Sequence, residues 1–126
     1  AAKPAGVLPL GMFSYGKLPL MLMRNCPVQH AVGCAQCRHR LTDRKGAALY
    51  VDCTRYSDKP DYAELFNSIP VWLADKPESF AYSAYALLFM TDEAPQQVRD
   101  ILLAYLRGEM AVPSTPFTRG IRLSDG

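Results

Sequence analysis

Four cysteines are the residues of this chain best suited to chemistry. Cys26, Cys34, Cys37 and Cys53 are spaced C-x7-C-x2-C-x15-C, and none occurs elsewhere. Four thiolates complete a tetrahedral zinc site or hold one iron–sulfur cluster. The pair Cys34-Ala-Gln-Cys37 supplies the close step that such sites contain. A closed zinc site typically uses two close pairs and this chain has one, so the irregular steps tilt the reading toward a cluster while leaving zinc open. Residues 24–45 also carry Arg24, Arg38, Arg40, Arg44 and Lys45 against a single acid, Asp43. Positive charge nearby favours the thiolate form. Arg24, Arg44 and Lys45 are candidates for contact with a substrate phosphate or carboxylate, the alternative being charge compensation of a tetrathiolate centre. His30 and His39 flank the close pair and, with four cysteines available, read as exposed loop residues. Disulfide scaffolds spread their cysteines through a loop-rich chain, whereas here a long hydrophobic remainder has none. The expected compartment is therefore reducing, the cytoplasm.

Other motifs carry less. Gly11-x4-Gly16-Lys17 has the outline of a phosphate-binding loop, but Leu18 stands where a magnesium-binding hydroxyl belongs, and Pro19 follows where a helix should begin. The chain has neither a Gly-x-Ser-x-Gly elbow nor a His-Glu-x-x-His helix, and no catalytic nucleophile is identifiable. Asp92 and Glu93 read as residues that cap a helix. Trp72 reads as core.

The elements that must position the cysteines follow from the hydrophobic pattern. With 126 residues, 49% of them hydrophobic, the chain is long enough for one domain with a real core. A net charge of +2 is too small to argue for nucleic-acid binding by itself. The apolar runs are too short to span a membrane. The start, AAKPAGVLPLG, lacks the regions of a signal peptide and an initiator Met, so the chain reads as a piece of a longer protein. Residues 1–16 read as turns. LPLMLM (18–23) reads as a buried strand that delivers Cys26 at its end. Residues 24–53 are the metal loop, closed by the turn Asp43–Gly46 and by the strand 47–53, which is expected to pair with 18–23. Residues 54–62 are a loop, 62–68 a short helix on the spacing of Ala63, Phe66 and Ile69, and 69–75 and 84–91 are buried strands. Val98, Ile101, Leu102, Tyr105 and Leu106 recur at helical spacing, with Thr91 and Asp92 as caps, Pro95 in the first turn and Gly108 as the stop. This predicts an amphipathic helix over 94–107. The tail is irregular, with an edge strand at 121–123. The fold class expected is α/β, mixed α+β as an isolated piece, with buried strands and one strong helix. One helix cannot cover all these apolar strands, so self-association is expected.

YGKLPLMLMRNCP, GCAQC and LTDRKGAALYVDC, with FNSIPVWLAD, LLFMTDE and PFTRG further on, resemble the collagenase-like U-thirty-two peptidase family in its long bacterial form. The similarity covers residues 7–121. It implies a TIM-like α/β barrel of which this chain forms the last strands and the following helix, with the remainder of the parent barrel as partner. It also implies a 4Fe–4S cluster in the native protein, ligated by Cys26, Cys34, Cys37 and Cys53. Zinc or an empty site is expected in a piece prepared in air. Relatives support hydroxylation of RNA bases or of a quinone precursor, and others are described as collagenases, so the substrate implied is RNA or a peptide. The alternative is a zinc-stapled structural or interaction module without catalysis of its own.

Overall fold

The computed structural model describes residues 6, 8–53, 62–79, 81–108 and 112–120. The fold is mixed α+β. Its strands are β1 (Gly11–Met23), β2 (Arg40–Thr42), β3 (Ala48–Asp52), β4 (Ala63–Trp72) and β5 (Tyr85–Leu88), and its helices are α1 (Pro27–Val32) and α2 (Pro95–Arg107). The strands are ordered β2-β3-β4-β1-β5 in one sheet. β2–β3 and β3–β4 are antiparallel, and β1–β5 is parallel. A barrel of the kind the resemblance implies is built of parallel strands throughout, whereas β2–β3 and β3–β4 here are antiparallel. The chain divides into two compact units, residues 17–68 and residues 1–16 with 69–126.

The unit 17–68 is organised by the β2–β3 hairpin. Arg40 faces Tyr50, Leu41 faces Leu49 and Thr42 faces Ala48. The turn forms where it is expected, because the Asp43 carboxylate accepts the backbone N–H groups of Lys45 (2.7 Å) and Ala47 (2.8 Å). Gly46 takes the positive φ of 85° that the turn needs. β3 then pairs with β4, with Tyr50 opposite Phe66, Val51 opposite Leu65 and Asp52 opposite Glu64. The helix expected over 62–68 is thus the first half of β4. The spacing of Ala63 and Phe66 suggested a helical face, but at strand period Ala63 and Leu65 share one face and Phe66 takes the other, and all three are buried. β4 also lies between β3 and β1, so the expected direct pairing of 47–53 with 18–23 does not form.

In the other unit, Tyr15, Trp72, Ala74, Ile101 and Ala104 make the core, with Leu88, Met90, Tyr105 and Phe117 against it. Tyr15 stands edge-on to Trp72 at 6.0 Å, and Trp72 lies 5.5 Å from Tyr105. The Tyr105 hydroxyl donates to the Ser14 carbonyl (2.5 Å) and accepts from the Leu73 N–H (2.8 Å), which ties α2 to β1 and to the end of β4. Burial pushes its pKa up to about 12. The α2 start is corrected by one step. Ala94 is the N-cap, and its N–H is taken by the Gln97 side chain at 2.8 Å, with Pro95 at the first helical position and Gly108 closing the helix at φ 61°. Glu93 is not a cap. One carboxylate oxygen accepts the Tyr15 hydroxyl (2.8 Å) and the other the Thr91 N–H (2.6 Å).

Gly11 and Gly16 have a packing explanation. A side chain on Gly11 would run into the Tyr85 ring, and one on Gly16, which has φ 131°, into the Phe89 carbonyl. These glycines let β1 pass close to β5, and residues 11–16 lie inside β1 instead of forming turns. Two further expectations are overturned. Leu20, Met21 and Leu22 are more than half exposed, and so is Tyr85 in β5, where buried strands were expected. Over 112–120 the tail is irregular, except that Thr118 bridges Val71, with its N–H on the Pro70 carbonyl and its carbonyl on the Trp72 N–H, both at 2.9 Å. The loop over 54–61 and the edge strand at 121–123 lie outside the described residues.

Candidate metal centre and its arginine-lined flank

All four cysteines are thiols outside any disulfide. Cys26 ends the run after β1 and serves as the flanking residue of α1, with Pro27 at the first helical position. It is 3% exposed and belongs to the core cluster of Val28, Val51, Ala63 and Leu65. Cys37 and Cys53 are half-buried against the same cluster. Cys53 follows the last residue of β3, where the sequence placed it. Cys34 opens a 3-10 turn, Cys34–Gln36, and is exposed.

The hairpin register brings Cys37 and Cys53 to one end. The pairing continues beyond β2 through the Val51 N–H donating to the His39 carbonyl at 2.8 Å. Burial pushes the Cys53 thiol pKa up, and Cys26, Cys37, Asp52 and Cys34 add to that shift. The charge on any one of the other thiols would therefore be felt at Cys53. His39 adopts φ 54°, a left-handed conformation uncommon for a side-chain-bearing residue. That conformation turns its N–H onto the Cys37 sulfur at 3.3 Å, while its ring Nδ1 meets the Val51 carbonyl at 3.2 Å. Among the described residues, no three Cys, His, Asp or Glu side chains already stand in a closed metal-binding arrangement. Thiol donors suit a soft metal or an iron–sulfur cluster; Cys26, Cys37 and Cys53 pack on one apolar cluster, and Cys34 stands exposed on its 3-10 turn.

The candidate anion-binding residues separate. Arg24 is exposed in the bend two residues before Cys26. Arg44 and Lys45 sit in the hairpin turn, exposed, at the opposite end of β3 from Cys53. Five strand residues place them roughly 16 Å along β3 from that thiol at ~3.3 Å per residue. His30 is exposed on the last turn of α1.

The sequence reading assigned no binding role to Gln36, Arg38 and Arg40. Together with Val28 and Val32 of α1 they line a cavity of ≈ 480 Å³. No periodicity marks them as a set, since Gln36 ends a 3-10 turn and His39, at φ 54°, interrupts the run before β2 begins at Arg40.

No protein-family model, curated protein or solved structure matches this chain. Among the described residues no helix is long and apolar enough to cross a membrane.

Proposed function

We propose that this chain is a metal-bearing segment of a U-thirty-two peptidase-type protein in which Cys26, Cys34, Cys37 and Cys53 ligate a 4Fe–4S cluster. The observation that carries the reading is the convergence of Cys26, Cys37 and Cys53 on one core cluster, with Cys34 within electrostatic reach of Cys53. The cluster would supply redox chemistry. This chain's residues would hold it, shield it on the side of Val28, Val51 and Leu65, and donate a hydrogen bond to one of its ligands from His39. Cys34 would be drawn inward from its exposed position. Of the activities the resemblance implies, support of hydroxylation of an RNA base fits this site better than peptide hydrolysis. Of the chain's two histidines, His30 is exposed, and His39, whose backbone N–H meets Cys37, turns its ring Nδ1 to the Val51 carbonyl instead of to a nucleophile. Reduced thiols suit a cytoplasmic setting.

The zinc-stapled module is the second reading: Cys26 is buried, and a metal seated there would fasten β1, α1 and β3 whatever its identity, a structural role that needs no catalysis. The deciding experiment is anaerobic reconstitution of the chain with iron and sulfide, then with zinc. The cluster reading expects brown protein with about four irons and four sulfides per chain. It also expects Cys53→Ser and Cys26→Ser each to lose the cluster. Stoichiometric zinc retained under conditions that strip iron would establish the second reading instead.

A further inference from the structure

We propose that the cavity beside α2, within the unit of residues 1–16 and 69–126, is a binding site for a small organic amine, an apolar body that carries one positive charge. The cavity has a volume of ≈ 400 Å³, in the range of small-molecule sites. Helical periodicity builds one wall. Gln97, Asp100, Ile101 and Ala104 recur at i, i+3, i+4 and i+7 on α2, so they form one stripe, and all four line the cavity. Ile101 and Ala104 are buried, and so are Tyr15 of β1 and Trp72 at the end of β4, which also line it. Gln97 and Asp100 stand exposed on the same stripe. The cavity thus has an apolar, partly aromatic floor and a polar rim.

The charge of the lining sets the class of ligand. Glu93 and Asp100 both belong to it, and among the described residues no lysine, arginine or histidine does. Glu93 accepts the Tyr15 hydroxyl (2.8 Å) and the Thr91 N–H (2.6 Å), and one Asp100 oxygen accepts the Gln96 carboxamide (3.0 Å). All three donors are neutral, so neither negative charge is balanced by them. A carboxylate has about four lone-pair positions, so each keeps acceptor capacity for a ligand. An ammonium supplies donors and the missing charge together, whereas an anion would be repelled. Aromatic side chains such as Tyr15 and Trp72 attract cations at their ring faces, which adds to the preference. A bare inorganic cation would leave the apolar floor unfilled, so the amine carries a ring or short chain. The arginines of this unit do not compete. Arg99 lies about 100° round the helix from Asp100 and outside the lining, and Arg119 is committed to Asp75. The site is independent of what the cysteines ligate, because all four belong to residues 17–68.

The test is calorimetric titration of the full chain, purified anaerobically, with benzylamine, benzyl alcohol and benzoate in turn. These probes share a ring and differ in charge. Benzylamine should bind most tightly, benzyl alcohol more weakly and benzoate most weakly, and added salt should weaken benzylamine alone of the first two. Asp100→Asn keeps the shape of an exposed side chain and should weaken benzylamine roughly threefold to fivefold, the size of a partly screened ion pair, with benzyl alcohol unchanged. Val112, 51% exposed, also lines the cavity, and Val112→Lys should weaken benzylamine by placing a like charge at the rim. Glu78→Gln removes an exposed carboxylate outside the lining and should leave affinity as it was. Far-ultraviolet circular dichroism establishes that each variant is folded. Benzyl alcohol binding as tightly as benzylamine would overturn the proposal, as would equal losses from Asp100→Asn and Glu78→Gln, or no measurable binding of benzylamine at all.

Discussion

Arg119 holds Asp75 with both terminal nitrogens, Nη2 lying 2.8 Å from one carboxylate oxygen, and also donates to the Trp72 carbonyl at 3.0 Å. Its guanidinium lies over the Phe117 ring at 4.8 Å. One side chain thus fastens the 112–120 segment to the end of β4. The hydrogen bonds from Arg119 are the main reason that the Asp75 carboxyl sits below the usual carboxylate range, and they outweigh a burial effect of opposite sign. A carboxylate whose folded pKa is depressed stabilises the fold above its unfolded pKa of about 3.9 and loses that contribution as pH falls through the folded value. Asp75→Asn should therefore cost about 1–3 kcal/mol near neutrality, the range for a broken partly buried charged hydrogen bond. Thermal unfolding of both proteins at neutral and strongly acidic pH checks this. The gap between them should close in acid, and a gap of constant size would show that the ion pair does not carry it. Sequence alone gave no hint of this pair, because 44 residues separate its partners. The cysteines were legible, since their type and crowding signal chemistry in any fold. Arg38 and Arg40 drew no reading as a set because an arginine beside thiols reads as compensating charge.

Elements whose signal is local were read well. α2 carries its own periodicity, proline and glycine stop, and it forms at Pro95–Arg107. The Asp43 turn carries its own acceptor. β4 was half misread because its partner decides it. Residues 63–68 are strand by virtue of pairing with β3, and that pairing is not written in the segment itself. β1 was misjudged in burial for a similar reason. Its registered pairs with β5 run from Gly11 to Tyr15, and the strand continues for another eight residues, Gly16–Met23. Leu20, Met21 and Leu22 are exposed along that continuation. Consecutive apolar residues in an exposed strand favour strand-to-strand association, and the expected occupant is a second copy of the chain. Sedimentation velocity across a concentration series should show the wild type associating and the double variant Leu20→Lys, Leu22→Lys shifted toward monomer. Identical behaviour of the two would show that this run does not drive association.

At the scale of the molecule, the thiols and the strongest packing fall in different units. Every cysteine, the hairpin and the arginine-lined cavity belong to residues 17–68, whereas α2, the Tyr15–Trp72–Tyr105 aromatic group and the Asp75–Arg119 pair belong to the other unit. The aromatic unit has a core of its own that owes nothing to thiols. The cysteine unit buries Phe66 and packs Cys26, Cys37 and Cys53 with Val28, Val51, Ala63 and Leu65. A ligated metal adds binding free energy to the folded state only where its ligands lie. Removing it should therefore loosen the two units unequally. Hydrogen exchange of the anaerobically loaded chain, compared with chain stripped by a chelator, should show lost protection at Val51 and at Leu41 and Leu49 of the hairpin. Amides of α2 such as Ile101 and Ala104 should change little. A uniform loss across both units would mean that the chain opens as one cooperative body, and that the metal stabilises the whole of it. No change anywhere would leave the thiols as ordinary core residues, because a metal that stabilises nothing is not held by these four sulfurs.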